Sequence, residues 1–146
     1  MVNYTLFFDG CSKGNPGLAG AGAVIYSDAG VDINAETDEL WAEASFVGFK
    51  ETNNVAEYSG LIRGLERVVQ MGIRRLTVKG DSKLILEQMK GNYQIKSPNL
   101  MKLYSKAKRL ASPTHFDMIE FIHVYRNQNK RADELSNQGL LLRNNV

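Results

Sequence analysis

The stretch Tyr4-Thr5-Leu6-Phe7-Phe8-Asp9-Gly10, with Gly14, Pro16 and Gly17 close behind it, decides how the chain folds. Residues 3–9 are almost continuously apolar or β-favouring, which is the pattern of a strand covered on both faces. The glycines and proline beyond them read as a loop at the end of that strand. A strand of this kind needs a layer of structure on each side, so the rest of the chain should supply helices for both faces of a sheet.

Working outward, two more β-like stretches follow at Gly20–Ser27 and Leu40–Phe49, separated by an Asp28-Ala29-Gly30 turn and an acidic segment through Glu39. Three strands with short links predict an antiparallel meander. The hydrophobic period then changes. From Asn54 to Met71, Leu61, Leu65, Val68 and Val69 recur at three- and four-residue steps, with Thr52 or Asn53 as the cap and Gly72 as the stop. Arg74–Lys79 reads as a strand and Ser82–Lys90 as a short helix. Ser97-Pro98 caps a helix running to Leu110, Phe116–Val124 is a strand and Asn129–Leu142 a last amphipathic helix. The predicted order is β-β-β-α-β-α-α-β-α. Strands joined through helices imply parallel crossovers, hence a mixed sheet in an α/β fold.

The bulk numbers agree with one globular domain over residues 1–146: 43% of the chain is hydrophobic and 23% charged. The single Cys11 excludes an internal disulfide, and with only two histidines a cysteine-rich zinc site is excluded as well. A reducing, cytoplasmic location is expected. No run of about eighteen apolar residues occurs and no basic, apolar leader precedes the first strand, so neither membrane association nor targeting is expected. A net charge of +2 is too mild to signal a polyanionic partner.

Four carboxylates carry the chemistry. Asp9 and Asp81 each lie at the C-terminal end of a predicted strand beside a glycine, on the edge where open α/β sheets bind ligands. Glu57 continues the Leu61, Leu65, Val68 stripe backwards by one turn, so it faces the sheet and needs a partner there. Asp133 falls in the first turn of the last helix. Several such oxygens held together repel one another unless protons or cations neutralise them. Oxygen ligands without histidine or cysteine favour magnesium or manganese over zinc, and a pair of ions some 3.5–4 Å apart is the usual clamp for phosphodiester cleavage. Each acid alone also has a structural explanation: Asp81 as a helix cap, Asp133 as a complement to a helix dipole, Asp9 as a turn residue. Glu57 on an apolar stripe fits such explanations least well.

Phe8-Asp9-Gly10, Lys13-Gly14-Asn15-Pro16-Gly17, Thr52-Asn53-Asn54 with Ala56-Glu57-Tyr58, Gly80-Asp81-Ser82, and Asn129 with Arg131-Ala132-Asp133 follow one another across nearly the whole chain. In this order the motifs resemble the type 1 ribonuclease H family. The resemblance implies a ribonuclease H-like α/β fold whose five-stranded mixed sheet, order 3-2-1-4-5, is flanked by helices. It implies Asp9, Glu57, Asp81 and Asp133 as metal-binding catalytic acids. The implied activity is endonucleolytic hydrolysis of the RNA strand of an RNA/DNA hybrid with two Mg2+ ions, for which Mn2+ substitutes, leaving 5′-phosphate and 3′-hydroxyl ends; a monomer is expected. Gly10, Cys11, Ser12, Lys13, Gly14, Asn15, Asn53, Asn54 and Ser82 are the implied substrate contacts, with the glycine loop close to a minor groove where 2′-hydroxyls mark RNA.

The chain resembles the short branch of that family. Longer relatives carry a basic, aromatic protrusion, whereas Met89–Ser97 offers only Lys90, Tyr93 and Lys96. Longer relatives also place a histidine in the loop before the last acid, and Asn127-Gln128-Asn129 has none. Arg126 is the expected substitute, a cation able to touch the scissile phosphate, and His123 is expected to be satisfied locally at a strand end. His115, Trp41, Arg74-Arg75 and Lys106-Lys108-Arg109 read as loop, packing and solvated-face residues. Cys11, with no histidine paired to it in sequence, is not expected to act as a nucleophile. Two other function classes remain open at this point: a hybrid-binding module without turnover, and integrase- or resolvase-like cutting of DNA on the same fold.

Overall fold

A computed structural model of the chain describes residues 3–27 and 39–145. The expected Asp28-Ala29-Gly30 turn and most of the acidic segment after it lie outside the described residues. The element order is β1 (Tyr4–Lys13), β2 (Gly17–Ser27), β3 (Glu39–Glu51), α1 (Asn53–Gln70), β4 (Arg75–Gly80), α2 (Lys83–Met89), α3 (Pro98–Leu110), β5 (Met118–His123) and α4 (Lys130–Leu141). A single 3-10 turn, Arg126–Gln128, links β5 to α4. The strands form one sheet in the order β3-β2-β1-β4-β5, as expected. β1, β2 and β3 pair antiparallel, and β4 pairs parallel to both β1 and β5.

One boundary shifts in a way that matters for function. β1 does not end in a loop at Asp9. Its parallel pairing with β4 stops at Phe7↔Lys79, but its antiparallel pairing with β2 continues from Asp9↔Gly22 to Lys13↔Leu18. Asp9 therefore sits on a strand held from one side only, with open space where β4 has ended. The supposed glycine loop shrinks to a hairpin turn at Gly14–Pro16, and β2 begins at Gly17 rather than Gly20. β5 is shorter than expected, although Val124 still donates to the carbonyl of Gly80 at 2.9 Å.

The helix signals act as expected of them. Thr52, not Asn53, caps α1 by accepting from the amide of Val55. Ser82 caps α2 from outside it, and Ser97 with Pro98 starts α3. α1 lays Tyr58, Leu61, Leu65 and Val68 on Leu6, Phe8 and Ile25 of β1 and β2 and covers one face of the sheet, with α3 packed against α1; these side chains are among the largest that are fully buried. α4 covers the other face against β1, β2 and β3. Its approach depends on Gly22, where a Cβ would stand 2.5 Å from the carbonyl oxygen of Ala132. Among the described residues no helix is long and apolar enough to cross a membrane.

Candidate active site

Asp9, Glu57 and Asp81 reach one point from three elements. Asp9 projects from β1 just past the last parallel pair, Glu57 from the second turn of α1, and Asp81 from the residue that follows β4. Carboxylate oxygens of the three lie within 4.8 Å of one another. Gly10 makes the meeting of Asp9 and Glu57 possible, because a Cβ there would collide with the backbone of Ala56 and Glu57 and push α1 away. Asp133 arrives from the first turn of α4 and lines the same cavity of about 580 Å³. All four predicted acids share one pocket.

The electrostatics of that pocket are unfavourable for bare carboxylates. Asp9 is 4% exposed and Glu57 9%. Burial, and then the charge of Asp81, push the pKa of Asp9 up to about 7. Burial, followed by the charges of Asp9 and Asp81, drives Glu57 well above the ordinary carboxylate range. Asp81 is raised too, chiefly by burial, with Arg126 working against the shift. One oxygen of Glu57, Oε2, is buried without any hydrogen-bond partner. Such an orphan is costly. A set of all-oxygen donors, mutually repelling and one of them unsatisfied, fits a hard divalent cation.

Polar contacts from α4 hold the acids in place. Asn129 donates its amide to the carbonyl of Phe8 at 3.0 Å, and the fully buried Ser136 donates to the carbonyl of Asp133 at 2.8 Å while standing 3.5 Å from Asp9 Oδ2. Ser136 had no signal of its own in the sequence beyond lying one turn past Asp133.

The predicted substrate contacts divide into two groups. Gly10, Cys11, Ser12, Lys13, Asn53 and Ser82 line the acid cavity; Gly14, Asn15 and Asn54 do not. Gly14 and Asn15 form the hairpin turn beside it. Asn15 Oδ1 accepts from the Asn53 amide at 2.9 Å and Asn53 Oδ1 accepts from the Ser12 amide at 2.7 Å, so the turn is tied to the start of α1. Cys11 donates its thiol to the carbonyl of Ser136 and has no histidine partner. Arg126 hangs 81% exposed at the rim, 3.8 Å from Asp133. His123 lies at the end of β5, edge-on to Tyr125 at 5.6 Å, and both line the cavity. Tyr125 was missed, since a lone tyrosine before Arg126 carries no pattern. A separate cavity of about 620 Å³ behind the start of α4 has no acid among its described lining residues.

A mixed sheet in this order, with acids gathered where β4 leaves β1, defines the ribonuclease H-like class of nucleic-acid-processing folds. Within that class the chain belongs to the reverse-transcriptase-like family, whose model matches residues 7–139, and to its type 1 ribonuclease H members. A bifunctional protein of Mycobacterium tuberculosis is 43% identical over 132 residues, 90% of this chain but only 34% of its own length. Its solved N-terminal RNase H domain superposes with a TM-score of 0.86 at 40% identity, covering 96% of this chain and 94% of that one. Ribonuclease HI of Halobacterium salinarum is 38% identical over 92% of this chain and 62% of its own. LC11-RNase H1, solved with an RNA/DNA hybrid, gives a TM-score of 0.80 at 35% identity, with 94% of this chain and 96% of that one covered. The chain spans about a third of the mycobacterial relative and under two thirds of the halobacterial one.

Proposed function

We propose that residues 1–146 act as one catalytic domain, an endoribonuclease that hydrolyses the RNA strand of an RNA/DNA hybrid to 5′-phosphate and 3′-hydroxyl ends. The observation that carries this reading is the three-acid cluster within 4.8 Å whose Glu57 Oε2 has no partner. Asp9, Glu57, Asp81 and Asp133 would hold two Mg2+ ions, or Mn2+ in their place. When bound, such ions supply the positive charge that activates an attacking water and offsets charge building on the leaving 3′ oxygen.

The chain's own residues supply position. The Gly10–Asn15 backbone, fixed through Ser12 and Asn15 to Asn53, is the surface that would approach the minor groove, where ribose differs from deoxyribose. Asn54 and Ser82 extend that surface. Arg126, free to swing from Asp133, places a guanidinium against the scissile phosphate. The pocket needs one chain only, which supports action as a monomer, and a single half-buried Cys11 supports a reducing, cytoplasmic setting.

The test is cleavage of a labelled hybrid with Mg2+ or Mn2+. Asp9→Asn and Asp81→Asn should each lower kcat by about a thousandfold with the fold retained. Undiminished cutting by those variants rejects the site. Binding of the hybrid without cutting by the unmutated protein makes it a binding module, and equal cutting of DNA duplex removes the specificity for RNA.

A further inference from the structure

We propose that Tyr125, braced by His123, is a binding subsite for the RNA-strand nucleotide next to the scissile phosphate; the inference rests on the hybrid-cleaving reading above. An exposed tyrosine alone means little. Three observations set this one apart. The residue is 73% exposed yet lines the same cavity as Asp9, Glu57, Asp81 and Asp133. Its backbone is pinned at both ends of the residue: the Tyr125 amide donates to Gln128 Oε1 at 3.2 Å, and the Tyr125 carbonyl accepts from the Gln128 amide at 2.8 Å. The residue before it is held to β4 through Val124 and Gly80, and its ring meets the His123 ring edge-on at 5.6 Å and 71°.

The backbone that carries the ring is therefore fixed before any ligand arrives, and the His123 ring limits where it can turn. Little freedom is lost when it is covered. The strand whose phosphate enters the acid pocket is the strand being cut, so a ring on the wall of that pocket meets this strand first. A flat aromatic face suits a ribose or the edge of a base, whereas a phosphate would call for a cation, which Arg126 provides one residue later. Tyr125 and Arg126 thus divide one nucleotide between them.

The experiment measures binding apart from turnover, by fluorescence anisotropy of a labelled hybrid with the Asp81→Asn protein, alone and with Tyr125→Ala or Tyr125→Phe. The expected result is a Kd weaker by about tenfold for Tyr125→Ala and within about twofold for Tyr125→Phe, as loss and retention of a ring contact require. The slope of log Kd against log salt should not change, because no charge is removed. In the otherwise unmutated enzyme, Tyr125→Ala should raise KM by a similar factor and leave kcat within about twofold. A Kd within twofold for Tyr125→Ala overturns the subsite, as does a Tyr125→Phe loss equal to that of Tyr125→Ala. If the unmutated protein fails to cut the hybrid, it is the underlying reading that falls instead.

Discussion

The Asn129 side-chain amide donates to the Phe8 carbonyl at 3.0 Å across 121 positions of sequence. That bond ties the cap of α4 to the strand residue immediately before Asp9. It is fully enclosed, and Asn129 Oδ1 has no partner. Asn129→Ala leaves the Phe8 carbonyl unsatisfied and should cost about 1–3 kcal/mol of folding stability. Asn129→Asp should cost more, because it sets an acceptor against that carbonyl and adds a negative charge beside the acids. Urea unfolding of both variants measures this, and an Asp variant more stable than the Ala variant would contradict it.

The pocket acids make metal-free stability depend on pH. Asp9 has an ordinary value of 3.8 and about 7 in the fold, so the folded state binds this proton more tightly than the unfolded chain does. The stabilisation is complete below about pH 4 and is lost as pH rises through about 7. Glu57 and Asp81 are shifted in the same direction and deepen the loss. At 1.4 kcal/mol per unit, Asp9 contributes about 4 kcal/mol to the fall. Protein held in chelator should therefore melt lower at about pH 8 than at about pH 5.5, with a shallower drop for Asp9→Asn. A flat profile for the unmutated protein would show that these acids are not electrostatically strained.

Divalent cations should reverse that loss. Added Mg2+ or Mn2+ should raise the melting temperature more at about pH 8, where the acids are ionised, than at about pH 5.5, where protons compete for the same oxygens. Asp9→Asn should abolish most of the increase. An equal rise in that variant would place the ion elsewhere.

Gly22 pairs with Asp9 across the sheet and lies under α4. A Cβ there would stand 2.5 Å from the Ala132 oxygen and 2.7 Å from the Ser136 nitrogen, so Gly22→Ala must lift the helix that carries Asp133. The expected cost is about 1–3 kcal/mol of stability together with weaker Mn2+ binding by calorimetry. Loss of stability with Mn2+ affinity unchanged would mean that Asp133 keeps its place despite the shift.

Arg126 behaves differently because it is exposed. Its contact with Asp133 at 3.8 Å is a surface pair that contributes about 0–1 kcal/mol. Arg126→Ala should leave the urea midpoint unchanged while lowering kcat on the hybrid by about ten- to a hundredfold. Arg126→Lys should recover part of it, since a lysine keeps the charge but not the fork. Unaltered kcat in Arg126→Ala removes the arginine from the chemistry.

Much of this was legible because local patterns were unambiguous. The stripe of Leu61, Leu65 and Val68 put α1 on the sheet and Glu57 with it. Thr52, Ser82 and Ser97 stand at the helix starts where their side chains can accept from free amides. The end of β1 was misread for a physical reason. Glycines look like a loop when pairing partners are unknown, yet Gly10 is a strand residue whose missing side chain lets α1 approach, and only Gly14 of that stretch belongs to a turn. Tyr125 and Ser136 were invisible for a similar reason, since their meaning comes only from neighbours far away along the chain.

Residue types and their spacing determined the α/β class, family resemblance supplied the strand order, and together they pointed to the four acids that line one pocket, because hydrophobic period and capping are local properties. Tertiary structure alone decided that Glu57 has an oxygen without a partner, that Asp9 lies where β4 falls away from β1, and that Asn129 and Ser136 hold these groups together. Burial and Coulomb repulsion act through space, and the distances that set them exist only after the sheet and its two helical layers have closed.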